Sequence, residues 1–323
     1  ATASAGNLAI TVPVGVNTNV NGSNSGLQFQ NGANAGTATI TNNGAGSYVL
    51  FGGGGASAQQ ATLNNNGGRL IFQETSNGGT ATINNNSGTL QMANTANLSG
   101  ATVVNHGQVY VNDISAPAAA IGSLSGSGGV VLGNATLQVG ALGKDDTISG
   151  VISNTGPGAQ DKNGSLYINP VMLGNGAVIK VGAGTLTLTG NNTYTGGTTI
   201  SGGALQLGAG TASGSVEGAI TNNASLIINR SDNYTLANAI TGSGTLTQAG
   251  TGTTTVTGAN TYSGGTILNL GGLSIGSAGV LGSGAITLEG GTFTTSSPMV
   301  LGNTVVVAGN VNVATNGSLG LNG

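Results

Sequence analysis

The chain has 323 residues, 63 of them glycine, with 4% charged side chains and a net charge of -3, against about 25% charged in an average domain. Hydrophobic residues at 37% and only five prolines exclude a disordered or proline-rich linker, and five lysines and arginines in all exclude a nucleic acid partner. No cysteine is present, no run nears the roughly 20 apolar residues of a membrane helix, and the start lacks a basic segment leading into an apolar one, so a processed N-terminus is expected.

Residues 1–111 repeat a unit: Ala-Thr-aliphatic, an Asn-rich turn, then a second strand. The unit stands at Ala38-Thr39-Ile40, Ala61-Thr62-Leu63, Ala81-Thr82-Ile83 and Ala101-Thr102-Val103. Such a period is too short for a domain and right for one coil of a solenoid, whose neighbours bury its apolar face. The aliphatics then form an internal ladder. Asn43, Asn66, Asn86 and His106, each three places further on, are expected to form a second ladder at a turn, where stacked amides bond along the axis.

Residues 112–165 hold Gly143-Lys144-Asp145-Asp146 and much of the charge. They predict coils with loops leaving the corners, and residues 143–165 form the candidate contact surface. Strand-like runs such as Val130-Val131-Leu132 continue through them, so the chain is expected to be one continuous solenoid over 1–323.

Residues 166–323 carry a longer repeat, Gly182 to Thr198 and Gly250 to Thr266. The second copy starts 250 - 182 = 68 positions after the first, which suggests about three coils. The first copy contributes Gly184, Thr185, Leu186, Leu188, Gly190, Asn192, Tyr194, Gly196 and Gly197. The second contributes Gly252, Gly258, Asn260, Tyr262, Gly264 and Gly265, with Thr254 and Val256 replacing the two leucines. Leu186 and Leu188 alternate with threonines, as in a strand with one buried face. Tyr194 and Tyr262 are expected to cap the core at a corner with the hydroxyl in water.

These residues resemble the passenger-associated transport repeat of bacterial autotransporters. The resemblance implies an all-β, right-handed parallel β-helix, with coils of about 20 residues. It also implies secretion to the cell surface, on the extracellular side of the outer membrane, through a translocator barrel lying outside this chain. In that family the motif accompanies efficient export.

The chemistry-bearing residues are sparse. His106 is the only histidine, so a multi-histidine metal site is excluded, and its place among the asparagines reads as a surface turn. Asp145 and Asp146 are adjacent and read as a solvated loop. Asp161-Lys162-Asn163-Gly164 lacks the later ligands of a calcium loop, and no Gly-Lys-Ser/Thr follows the glycine runs. No catalytic, cofactor-binding or metal-binding residue is expected, and no cofactor. The leading expectation is a structural or adhesive extracellular stalk with contacts to glycans or surfaces. The alternative is a self-associating filament or biofilm-matrix subunit, and a carbohydrate-active enzyme ranks below both.

Overall fold

A computed structural model describes residues 17–20, 26–114, 117–156 and 174–321. The fold is all-β: parallel strands stacked as a β-solenoid, about 14 turns of about 20 residues. The loop segment 157–165 and the Asp161-Lys162-Asn163-Gly164 stretch lie outside the described residues. The chain divides into two compact units, residues 1–178 with 193–195, and residues 179–192 with 196–323.

In the first unit two sheets face each other. One stacks Asn17–Val20, Thr39–Asn42, Thr62–Asn65, Thr82–Asn85, Asn97–Asn105, Ala119–Ser125 and Thr136–Val139. The other stacks Gly26–Gln30, Tyr48–Gly52, Arg69–Phe72, Thr89–Asn94, Gln108–Ile114, Gly129–Val131 and Ile152–Ser153. Parallel pairing needs a crossover. Here each sheet supplies the crossover of the other, because the chain alternates between them.

The register places like on like. Ile40 pairs with Leu63, Leu63 with Ile83, and Ile83 with Val103, all buried. On the facing sheet Phe29, Phe51 and Phe72 stack with centroids 4.7 and 4.8 Å apart and planes within 6°. Those spacings match the separation of neighbouring strands, so the backbone ladder itself sets the aromatic stack. Corners stack as well. Asn31, Gly53, Glu74 and Asn94 follow one another in the left-handed region, at φ 54°, 69°, 56° and 58°. At Gly79 (φ 53°) a Cβ would stand 2.5 Å from Gln59 Cα, so only glycine fits there.

In the second unit one sheet runs Thr185–Leu188, Ala204–Thr211, Ser225–Arg230, Thr245–Gln248, Thr266–Leu268, Ile286–Leu288 and Val305–Val307. A second runs Tyr234–Leu236, Thr253–Val256, Gly272–Ile275, Thr292–Thr295 and Asn312–Thr315, and a third includes Thr198–Ile200, Ile220–Asn222 and Ile240–Thr241. Leu186, Leu205, Leu226 and Leu246 form one buried column.

This register corrects the reading of the offset between the two motif copies. Three coils from Thr185 lead through Ala204 and Ser225 to Thr245. The second motif copy begins its strand later, at Thr253, and in another sheet. Its offset is therefore three coils plus one face.

Candidate functional site

The most ordered polar chemistry lies at the coil corners. Asn43, Asn66 and Asn86 stand in an exposed row: Asn66 Nδ2 donates to Asn43 Oδ1 at 2.8 Å and Asn86 Nδ2 to Asn66 Oδ1 at 2.7 Å. His106 Nδ1 lies 2.9 Å from Ser127 Oγ on the following coil, also exposed.

One residue earlier runs a second row that the sequence reading passed over. Asn42, Asn65, Asn85 and Asn105 are each 2% exposed or less, so their amides need internal partners. Asn42 Nδ2 donates to Asn65 Oδ1 at 2.9 Å, Asn65 to Asn85 at 2.8 Å and Asn85 to Asn105 at 2.7 Å. Each Nδ2 also donates to a backbone carbonyl further along: Arg69, Thr89, Gln108 and Gly129, at 3.0–3.1 Å. Those carbonyls fix which end of each amide is the donor. The signal was available, since strand alternation carries the inward Ile40, Leu63, Ile83 and Val103 two places on to these asparagines.

The second unit closes corners with other side chains. Lys180, 1% exposed, donates its Nζ to the carbonyls of Val181, Gly182 and Gly202 at 2.7, 3.0 and 3.1 Å. Gln248 Nε2 donates to the carbonyls of Gly250, Gly252 and Leu270 at 2.9, 3.1 and 3.4 Å, while its Oε1 accepts from Thr254 Oγ1 at 2.6 Å. Asn222 Nδ2 reaches the Thr245 carbonyl at 2.8 Å.

Within the motif, Asn192 Nδ2 donates to the carbonyls of Gly190 and Ser215 at 3.0 and 2.9 Å. Asn260 Nδ2 donates to the Val280 carbonyl at 2.6 Å, and its Oδ1 accepts from the Ile240 amide at 2.8 Å. The tyrosines depart from expectation. Tyr194 and Tyr262 are fully buried, and the Tyr262 hydroxyl lies 2.5 Å from Thr266 Oγ1 rather than in water. A threonine four places on supplies the polar contact that solvent was expected to give. Burial pushes the Tyr262 hydroxyl up to about 12.

Asp145 is exposed, but Asp146 is buried within the strand Asp146–Ile148, not in a solvated loop. Its carboxylate accepts from Ser123 Oγ at 2.7 Å and the Leu124 amide at 3.3 Å. Among the described residues no three His, Cys, Asp or Glu side chains gather as metal ligands.

The chain carries the passenger-associated-transport repeat. Residues 85–111, 178–207 and 246–275 match it, and with the parallel β-solenoid they match an autotransporter passenger. That family implies a translocator barrel elsewhere and points to a secreted or cell-surface protein. No curated protein and no solved structure matches the chain significantly. The sequence reading assigns residues 85–111 to asparagine-ladder coils and not to the passenger repeat; there Leu98 stands nine places after Thr89, where the other copies put Tyr194 and Tyr262 nine after Thr185 and Thr253.

Laid on the fold, each passenger repeat is a coil that closes on itself. In each, the strand that begins at Thr89, Thr185 or Thr253 pairs directly with the last strand of the repeat: Thr89 with Gln108, Thr185 with Ala204, Thr253 with Gly272, the same interval each time. The strand before it ends on an inward polar side chain, Asn85, Lys180 or Gln248, that bonds a carbonyl of the next coil.

Proposed function

We propose that the chain is the structural and adhesive stalk of an autotransporter-like surface protein. It is exported through an outer-membrane translocator barrel and mediates surface attachment or cell–cell contact. The observation that carries this reading is the self-pairing within each passenger repeat, the strand at Thr89, Thr185 or Thr253 on the last strand of the same repeat. A segment so short templates its own second strand, so folding proceeds coil by coil as chain emerges, with low contact order and no disulfide. The motif residues from Gly184 to Gly197 and Gly252 to Gly265 serve this closure, and the asparagine rows tie successive coils.

The outward strand positions fit a contact surface. Thr39, Thr62, Thr185, Thr187, Thr245, Thr247, Thr253 and Thr255 all stand partly exposed, a nearly uncharged array of hydroxyls suited to many weak hydrogen bonds. On this reading the chain is not an enzyme, a reading supported by the lack of any gathering of three His, Cys, Asp or Glu side chains among the described residues.

The test is display. The chain is fused to a translocator barrel in a bacterium stripped of its own adhesins. Protease-accessible chain at the surface, with attachment to abiotic or glycan-coated surfaces above a barrel-only control, is expected. Surface exposure without any gain in attachment would leave an export and spacer role in place of adhesion.

Self-association is the second reading. Leu142 and Val151 of the first unit are 39% and 44% exposed, apolar side chains within the stack that a second copy would cover. Scattering that grows with concentration supports it, and a constant monomer rules it out.

A further inference from the structure

We infer that a groove on the second unit, floored by Tyr234 and walled by Glu217, is a binding site for a neutral saccharide. The cavity measures about 390 Å³ and is lined by Val216, Glu217, Tyr234, Thr235 and Asn238 among others. It lies beside an irregularity in an otherwise even stack. The strand Ala204–Thr211 shifts register against Ser225–Arg230 between Leu207 and Thr211, and the chain from 209 to 213 turns outward into exposed or half-exposed positions.

The floor is held rigidly. Arg230, 7% exposed, is gripped by four hydrogen bonds: Nε and Nη2 to the Asp232 carboxylate at 2.9 and 2.8 Å, Nη1 to the Gly214 carbonyl at 2.8 Å, and Nη2 to the Ala212 carbonyl at 2.9 Å. Its Cζ lies 4.6 Å from the Tyr234 ring centroid. Tyr234 lines the cavity and Arg230 does not. Among the described residues the Tyr234 hydroxyl has no hydrogen-bond partner. Asn238 is committed, its Nδ2 donating to the carbonyls of Val216 and Gly218 at 3.1 and 2.6 Å, and this fixes the opposite wall. Glu217 and Thr235 are exposed at the rim.

This assembly selects a ligand class. A fixed aromatic face takes the apolar C–H face of a sugar ring, and a carboxylate, a phenol and a threonine hydroxyl bond its hydroxyl groups. A cationic ligand is disfavoured, because a guanidinium already lies against the ring. An anionic ligand would meet Glu217 at the rim. A neutral, hydroxyl-rich ring satisfies all of these groups. The site deepens the adhesive reading and rests on it for its purpose, but its binding chemistry stands apart.

The purified full chain is titrated with cellohexaose, maltohexaose and chitohexaose by saturation-transfer NMR and calorimetry. Saturable binding of at least one hexaose is expected. Tyr234→Ala is expected to weaken it at least about tenfold, the effect of removing an aromatic anchor, whereas Tyr234→Phe retains most of it. Glu217→Gln, at an exposed position where folding is not at stake, is expected to weaken it several-fold. Absence of binding to every hexaose, or binding that survives both Tyr234→Ala and Glu217→Gln unchanged, overturns the site. Displayed chain that binds a hexaose but fails to attach cells sinks the adhesive reading and leaves the site standing. Attachment that persists without any hexaose binding does the reverse.

Discussion

Lys180 and Gln248, each standing just ahead of a motif copy, plug equivalent corners in two different sheets. Lys180 binds the carbonyls of Gly182 and Gly202, and Gln248 those of Gly250 and Leu270, so donor and targets shift together from one copy to the next. An ammonium and a primary amide are chemically unlike, yet both bring several N–H donors to one point. The corner demands donors, not charge. Lys180→Met, which keeps the stem and removes the donors, is therefore expected to cost about 2–3 kcal/mol, the penalty for stranding buried acceptors. Lys180→Gln is expected to cost less than half as much. Urea unfolding of the two variants against the parent decides it, and equal losses would show that charge matters after all.

The two asparagine rows differ in burial and so in sensitivity. Asn85→Leu leaves the Asn105 oxygen, the Gln108 carbonyl and the Asn65 amide short of partners, and is expected to destabilise by about 2–4 kcal/mol. Asn66→Leu breaks an exposed row that water can re-satisfy, and is expected to change stability by less than about 0.5 kcal/mol. Thermal unfolding of the pair tests the contrast.

Tyr262 predicts an alkaline limit. Burial raises its hydroxyl from 10.0 to about 12, so the folded chain keeps a proton that the unfolded chain releases. That contribution is complete below pH 10 and is lost as pH rises toward 12, on the order of 2–3 kcal/mol in all. Ultraviolet titration is expected to show tyrosinate forming at Tyr262 only as the structure opens. Tyr262→Phe is expected to flatten the fall in stability over this range.

Asp232 predicts an acid limit. The hydrogen bonds from Arg230, and then its charge, hold the carboxyl below its ordinary value of 3.8. The folded chain therefore gives up that proton more readily than the unfolded chain. The resulting stability is present above pH 3.8 and fades as pH falls through the lower folded value. Asp232→Asn is expected to lower the unfolding temperature at about pH 6 and to match the parent at about pH 2. An equal deficit at both values would assign the loss to packing.

Much of the fold was legible because its period is short. Ile40, Leu63, Ile83 and Val103 announce themselves at near-constant spacing, and parallel pairing turns that spacing directly into a column. The corners were harder to read. Runs such as Asn42-Asn43 and Asn64-Asn65-Asn66 offer more than one candidate for each row, and only the inward alternation from the aliphatic separates buried from exposed. Tyr262 looked like a surface cap because its threonine partner lies four places on, across a turn that has no periodic signature. Asp146 looked solvated beside Asp145, yet strand alternation sends neighbours to opposite faces. The Tyr234 groove had no signal in the sequence, since it depends on Arg230 being pinned by carbonyls of the preceding coil.

Leu63 and Ile83 share a column and are each followed by three asparagines. Removing the stretch 64–83 would therefore join Leu63 to Asn84 without disturbing a single inward position. Such a loss would fall between two near-identical stretches of the chain, Ala-Thr-Leu-Asn-Asn-Asn at 61–66 and Ala-Thr-Ile-Asn-Asn-Asn at 81–86. Each such event shortens or lengthens the stack by one strand spacing, about 4.8 Å. Reach becomes an inherited quantity that changes in whole coils.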